Sequence, residues 1–256
     1  MQRFRLYLRL ARIIAVVAFG LVLASGLRLR TLLGPRPSQA SRQRLCRWFL
    51  ARLAMALPFE VRMTGELPDR PMLWVANHLS WSDIPFLGRL RPMTFLAKAD
   101  ILKWPLVGWL TEEAGTQFIQ RGSGDSSTLT QLLADELKQG RNLLIFPEGT
   151  TTDGTSVRTF HSRLLGCAID AGVPVQPVAI RYLREDAVDP IAPFIGDDDL
   201  LSHLFRMLRE DTAVVEIKLL SPILTVGTQR NPLARRCHEV ITGALQSSPQ
   251  PLASAA

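Results

Sequence analysis

Met72-Leu73-Trp74-Val75-Ala76-Asn77-His78-Leu79-Ser80-Trp81-Ser82-Asp83 decides the fold. The run Met72–Ala76 is uninterrupted and apolar, too short for a typical helix, and reads as a buried strand. Polar residues follow it at once, and in α/β sheets the ends of strands are where sites are built. On a continuous helix, residues five apart lie about 140° from each other, so His78 and Asp83 can meet only if the chain turns between them. Ser82 or Asp83, followed by Pro85, supplies a helix start for that turn.

Outward from this stretch the same alternation continues. Short β-rich runs (VRMTG from Val61, MTFLA from Met93, TQFI from Thr116, NLLIFP from Asn142, VPVQPVAI from Val173, AVVEIKLL from Ala213) are separated by helical patterns at Ser126–Gln139, Phe160–Ala171 and Pro232–Leu245. The expected fold is α/β, a mixed sheet flanked by helices. No internal repeat is visible. The expected organisation is a membrane-anchoring helical segment at 1–57, one catalytic domain at 58–246 and a frayed tail at 247–256 rich in Ser, Pro and Ala.

The net charge of +7 is unevenly placed. Residues 1–59 hold eleven of the thirty basic residues, all Arg, and none of the twenty-three acidic ones. A nucleic-acid domain spreads basic residues over a folded surface, whereas here they flank apolar runs at one end, which points to a membrane and away from nucleic acid. Ile13–Leu27 is fifteen residues without a charge, bracketed by Arg9, Arg12, Arg28 and Arg30. Fifteen residues reach about 22 Å of a roughly 30 Å hydrocarbon core, so an anchor there needs snorkelling arginines. A cleaved signal peptide, with Ala24-Ser25-Gly26 as its site, is the alternative. A second helix at about Ser41–Leu57 sets Leu45, Phe49, Leu53 and Ala56 on one stripe, with Arg44 and Arg47 turned away. Basic residues on both flanks are what a monotopic hairpin with two cytoplasmic ends would show. The segment Ile101–Glu113, with Trp104, Trp109 and several aliphatics, reads as core or as a surface for acyl chains.

Three distant cysteines, Cys46, Cys167 and Cys237, give no metal or redox spacing and suit a reduced, cytosol-facing domain. With four histidines and no His-Glu-x-x-His pairing, no metal cofactor is expected.

If His78 and Asp83 meet, the carboxylate fixes the ring tautomer and leaves the other nitrogen free to take a proton. Taken alone, a histidine at a strand end is more often structural, and an aspartate opening a helix is more often a cap. Three further blocks change that balance: Gly115-Thr116-Gln117-Phe118-Ile119-Gln120-Arg121, Phe146-Pro147-Glu148-Gly149-Thr150, and Val173-Pro174-Val175-Gln176-Pro177-Val178.

Together with Asn77–Asp83 these blocks resemble, in order and spacing, the glycerolipid acyltransferase family: the bacterial 1-acylglycerol-3-phosphate acyltransferases and the lyso-ornithine lipid acyltransferases. The resemblance covers roughly residues 60–220. It implies that His78 deprotonates the acceptor hydroxyl and that Asp83 orients it. Arg121, Glu148, Gly149 and Thr150 are similar to the family's acceptor-headgroup site, with Asn77, Gly115, Phe118, Pro147 and Pro174 as supporting positions. The implied reaction moves a fatty acyl group from acyl carrier protein or coenzyme A to a lysolipid hydroxyl at the cytoplasmic (inner) membrane of a bacterium, with no cofactor. The leading acceptor is 1-acyl-sn-glycerol-3-phosphate, giving phosphatidic acid, and lyso-ornithine lipid is the alternative. Two departures bear on that choice. Many family members carry Arg where this chain has Thr151, and a Lys common after the next Phe is His161 here.

The chemistry suits one histidine, since a thiol leaves without strong acid help and no acyl-enzyme nucleophile is required. Backbone N–H groups around the Asn77–Asp83 turn are candidate oxyanion donors. A hydrolase or transacylase using the same His has no Gly-x-Ser-x-Gly elbow to support it. A non-catalytic membrane adaptor rests on the basic, apolar N-terminus alone.

Overall fold

The structure, a computed structural model, describes residues 2–35, 37–119 and 126–247. Two helices, α1 (Gln2–Leu33) and α2 (Gln39–Ala56), open the chain. The body follows as β1 (Phe59–Thr64), β2 (Leu73–Ala76), α3 (Asp83–Gly88), β3 (Met93–Lys98), α4 (Pro105–Glu113), β4 (Gln117–Ile119), α5 (Ser126–Lys138) and β5 (Asn142–Ile145). It continues as α6 (Gly166–Ala171), β6 (Val175–Arg184), β7 (Ala187–Val188), α7 (Leu200–Arg209), β8 (Ala213–Leu219) and α8 (Arg230–Gln246). The sheet runs β1-β8-β6-β2-β5-β3-β4, with β7 pairing back on β6. The block β6-β2-β5-β3-β4 is parallel, β8 is antiparallel to β6, and β1 is parallel to β8, so the sheet is mixed as expected.

Alternate residues of the central strands feed two cores. Trp74 and Ala76 of β2, with Leu144 of β5 and Ile180 and Tyr182 of β6, face one core. Leu73, Val75, Leu143, Ile145 and Ala179 face the other. Residues from α2 and α3 (Leu50, Ala54, Phe86, Leu87), α1 (Ile13) and α7 (Met207, Leu208) join the first. Those of α5, α6 and α8, such as Leu133, Cys167 and Leu233, join the second. A strand covered on both faces needs no polar alternation, which is why Met72–Ala76 is continuously apolar. By contrast, β8 alternates buried and half-buried residues along its length.

The N-terminal helix differs from expectation. The fifteen-residue apolar run is the middle of a 32-residue helix, about 48 Å long at 1.5 Å per residue, so shortness is no argument against a span. By length and composition it could cross a membrane. Arg is a good helix former, and the flanking arginines continue the helix and reach the body. Arg9 donates to the carbonyls of Leu208 (3.0 Å) and Glu210 (2.5 Å), Arg12 donates to that of Met55 (2.8 Å), and Arg5 pairs with Asp211. Further along, Gly20 lets Phe49 of α2 pack against the helix backbone, where a Cβ would come within 2.4 Å of the ring.

Two more expectations shift. The helix expected from Phe160 begins only at Ser162, as a 3-10 turn, and becomes α-helical at Gly166. His161 N–H donates instead to Pro147 O (2.9 Å), tying residues 160–161 to the loop after β5. Ile101–Glu113 splits into a 3-10 turn (Ala99–Lys103) and α4, with Pro105 opening α4. The expected tail lies outside the described residues beyond Ser247.

Candidate active site

Strand β2 leaves the sheet at Asn77, whose side chain takes over the ladder. Its Nδ2 donates to Ile180 O and its Oδ1 accepts from Ile180 N, both at 2.9 Å, so the β6 pairing continues while the backbone turns away. His78 is therefore delivered to the carboxyl end of the sheet on a fixed stem. The turn closes through Asp83 N–H to Ser80 O (3.1 Å), and α3 begins at Asp83.

This turn brings His78 and Asp83 together, with Nδ1 2.8 Å from Oδ2. Asp83 is fully buried, so its charge requires donors, and it has four. Oδ2 accepts from His78 Nδ1, Leu79 N (2.8 Å) and Ser80 N (3.0 Å), while Oδ1 accepts from the Tyr182 hydroxyl (2.6 Å). An ionised Asp83 makes Nδ1 the protonated nitrogen and leaves the Nε2 lone pair free. Among the described residues no hydrogen bond engages Nε2, and the His78 side chain is 17% exposed, so that atom can meet a substrate. The ring lies on Phe146 at 3.9 Å between centroids and 15° between planes.

The loop after β5, adjacent to β2 in the sheet, supports the main chain of His78. Glu148 accepts from His78 N on Oε1 and from Arg158 N on Oε2, each at 2.8 Å, and is 3% exposed. Burial pushes its carboxyl above the usual range, while the two backbone bonds pull it back. Thr152 N–H donates to His78 O (2.9 Å), so both backbone groups of the histidine are held. Gly149, with φ of 67°, makes the turn, and a Cβ there would come 3.5 Å from the His161 ring.

The expected site residues divide by position. His78, Asp83, Asn77, Pro147, Glu148, Gly149 and Thr150 gather at the adjoining carboxyl ends of β2 and β5. Both Glu148 oxygens are engaged within the protein, and Thr150 is half-buried at the end of the turn. Pro174 lies at the opposite end of the strands, where its carbonyl accepts from Leu73 N (3.2 Å). Gly115 and Phe118 sit at the β4 edge, and Gly115 is packed beneath the Gln39 amide of α2. Arg121 lies outside the described residues. Backbone N–H groups of the turn were expected as oxyanion donors, but those of His78, Leu79, Ser80 and Asp83 are all taken by internal acceptors.

Sequence reading missed three contributors. Tyr182 is one of only two tyrosines in the chain and points inward from β6, which was the available signal. Phe146 closes a β-rich run and opens a motif block in the sequence, neither of which shows that its ring stacks under His78. The strap 189–195 carried no motif, yet Phe194 N–H donates to Leu79 O (2.8 Å) and Thr151 Oγ1 donates to Phe194 O. Trp81 Nε1 donates to His203 Nδ1 of α7 (3.0 Å), bracing the turn from outside. Cys167 and Cys237 are buried, with thiols pushed up to about 12 by desolvation, so neither is an activated nucleophile. No group of three or more metal-ligating side chains occurs among the described residues.

A family model described as Acyltransferase matches residues 58–181. A lyso-ornithine lipid O-acyltransferase from Pseudomonas aeruginosa is 58% identical over 251 residues, 98% of this chain and 97% of that protein. The chain belongs to the glycerolipid acyltransferase family. A 1-acyl-sn-glycerol-3-phosphate acyltransferase from Neisseria gonorrhoeae is 33% identical over 165 residues, 63% of this chain and 65% of that protein. The acyltransferase also shares its fold with the crystal structure of the 1-acyl-sn-glycerophosphate (LPA) acyltransferase from Thermotoga maritima. That match has a TM-score of 0.70 at 23% identity and covers 96% of each chain.

Proposed function

We propose that this acyltransferase moves a fatty acyl group from an acyl thioester to the free hydroxyl of lyso-ornithine lipid. The observation that carries the reaction class is His78, with Nδ1 bound to a buried carboxylate and Nε2 unengaged. Nε2 takes the proton of the acceptor hydroxyl as its oxygen bonds to the thioester carbonyl carbon. The carbon–sulfur bond then breaks, and the departing thiolate recovers the proton from His78. Glu148, held between two backbone N–H groups, positions the His78 main chain.

For the acceptor, the near full-length similarity to a lyso-ornithine lipid O-acyltransferase supports that lipid over 1-acyl-sn-glycerol-3-phosphate. The residues after the Glu148 turn agree. Thr151 is a short neutral side chain bound to the strap carbonyl of Phe194, and it offers no cation to a phosphomonoester dianion.

The membrane reading follows from α1. Its exposed residues include Phe4, Leu8, Ile14, Phe19 and Val22, while Arg5 pairs with Asp211 and Arg28 pairs with Glu113 (3.5 Å). Those ties are twenty-three residues apart, about 35 Å along the helix, which exceeds a roughly 30 Å hydrocarbon core. A helix fixed to the soluble body at both ends lies along the cytoplasmic face of the inner membrane more readily than across it.

The test is an assay of purified enzyme with each lysolipid and each donor, acyl carrier protein or coenzyme A thioester. Preference for lyso-ornithine lipid is expected, and faster acylation of 1-acyl-sn-glycerol-3-phosphate would overturn the acceptor. His78→Ala is expected to lose about 10²–10⁴-fold in rate, and a loss under tenfold would overturn the base.

A further inference from the structure

We infer that Tyr182 is a positioning residue for acyl transfer, donating its hydroxyl proton to Asp83 Oδ1 and so keeping the carboxylate that partners His78 ionised and in place. The inference rests on His78 being the base. Its geometry is independent of any ligand. The Tyr182 hydroxyl lies 2.6 Å from Asp83 Oδ1 and 2.9 Å from Ser82 Oγ, and all three residues are fully buried. An ionised carboxylate can only accept, so the tyrosine must donate to it, and Ser82 must in turn donate to the phenol oxygen. The directions along Ser82, Tyr182, Asp83 and His78 are thereby fixed.

The ring is held for this purpose by packing that does not involve the hydroxyl. Phe59 of β1 meets it at 5.1 Å between centroids and Phe86 of α3 meets it at 6.2 Å. Burial, then the adjacent Asp83 charge, raise the phenol well above its ordinary value, so it remains a donor at any working pH. The other ionisable groups with a bearing on this cluster are Asp189, near Tyr182, and Glu148, near His78 and Asp83. Both are carboxyls and neither can replace the donor while ionised.

Without the hydroxyl, Oδ1 would be buried with no donor, and the carboxylate would bind a proton more tightly. The His78–Asp83 pair would then release its shared proton only at higher pH. Should the proton pass to Asp83, Nδ1 becomes an acceptor and Nε2 carries the hydrogen, the wrong tautomer for a base.

The experiment is the pH profile of kcat/KM for Tyr182→Phe. The acid limb should move up by about one pH unit, with rate lost about tenfold below it and recovered above, and KM little changed. Because that change leaves the Ser82 hydroxyl unpartnered, Ser82→Ala/Tyr182→Phe should regain thermal stability without regaining the acid limb. In an Asp83→Asn background, Tyr182→Phe should no longer shift the limb. A limb that stays in place in the folded double variant overturns the inference, as does a rate lost equally at every pH. His78→Ala, run beside them, separates the two readings: if it stays active the base itself is wrong, and if it is inactive while the limb is unmoved only Tyr182's role is wrong.

Discussion

Asp83→Asn isolates the electrostatic part of the pair. The amide oxygen can occupy the Oδ2 position and still accept from Leu79 N, Ser80 N and the Nδ1–H of His78. Its NH2 then faces the Tyr182 oxygen, and Tyr182 can turn its hydrogen to Ser82 Oγ. Every polar group keeps a partner and the tautomer is retained, so only negative charge is lost. Two unit charges about 4 Å apart at an effective dielectric near 20 interact by about 4 kcal/mol. The imidazolium formed when His78 takes the hydroxyl proton loses up to that stabilisation, less what the amide dipole still supplies. The expected loss in kcat/KM is about 10²–10³-fold, carried by kcat. Steady-state thioester consumption with a saturating lysolipid measures it, and a thermal melt of the same preparation checks the fold. A loss under tenfold in a variant that melts like the wild type would refute the argument that Asp83 acts through its charge.

Glu148→Ala strands the N–H groups of His78 and Arg158, so melting should show about 2–4 kcal/mol less stability and kcat should fall as the His78 backbone loosens. An unchanged kcat would show that the His78 main chain needs no such support. His203, fully buried, accepts from Trp81 on Nδ1 and donates through Nε2 to Ile191 O and Pro193 O, and burial lowers its pKa below the ordinary 6.5. The unfolded chain therefore takes up that proton first, and the stability His203 contributes above about pH 6.5 is lost as the pH falls through that value. The drop in melting temperature between pH 7.5 and 5.5 should be larger in the wild type than in His203→Gln, and equal drops would remove His203 from the account. Gly20→Val forces the Phe49 ring away and should lower stability by about 1–3 kcal/mol in a thermal melt; no change would mean that α1 and α2 do not pack this closely.

What sequence could reveal followed from local period. Met72–Ala76 was legible as a strand because both its faces are covered, and the turn after it was legible because Pro85 and Asp83 start a helix. The pairing of His78 with Asp83 needed the company of the later motifs, since the local turn that fixes it, held by Leu79 and Ser80 N–H groups on Asp83, has no distinctive sequence of its own. The rarity of tyrosine marked Tyr182 without giving its role, which depends on register: it meets Asp83 across ninety-nine residues through β6 lying beside β2. The order of motif blocks likewise could not say which end of a strand a proline occupies, so Pro174 was grouped with residues from which the sheet separates it. The length of α1 was misread because arginines mark the end of an apolar run without ending a helix.

On the proposed mechanism, the burial of Asp83 links catalysis to folding in this acyltransferase. A bare carboxylate inside the protein is destabilising by several kcal/mol, and the fold compensates with donors from separate places: the turn after β2, the histidine itself and β6. On the proposed mechanism, the groups that tune the base are thus the groups that hold the β2 turn against the sheet. We propose that acceptor preference is set elsewhere, on surfaces that reach the same carboxyl end of the sheet without bearing on Asp83. Thr150 and Thr151 and the strap through Phe194 satisfy that condition. Thr152 N–H holds the turn at His78 O, Phe194 N–H holds it at Leu79 O, Thr151 ties to Phe194 O, and none of these bonds involves an Asp83 oxygen. On this proposal a common base can serve different lysolipids, because headgroup recognition and proton transfer would rest on different groups around one turn.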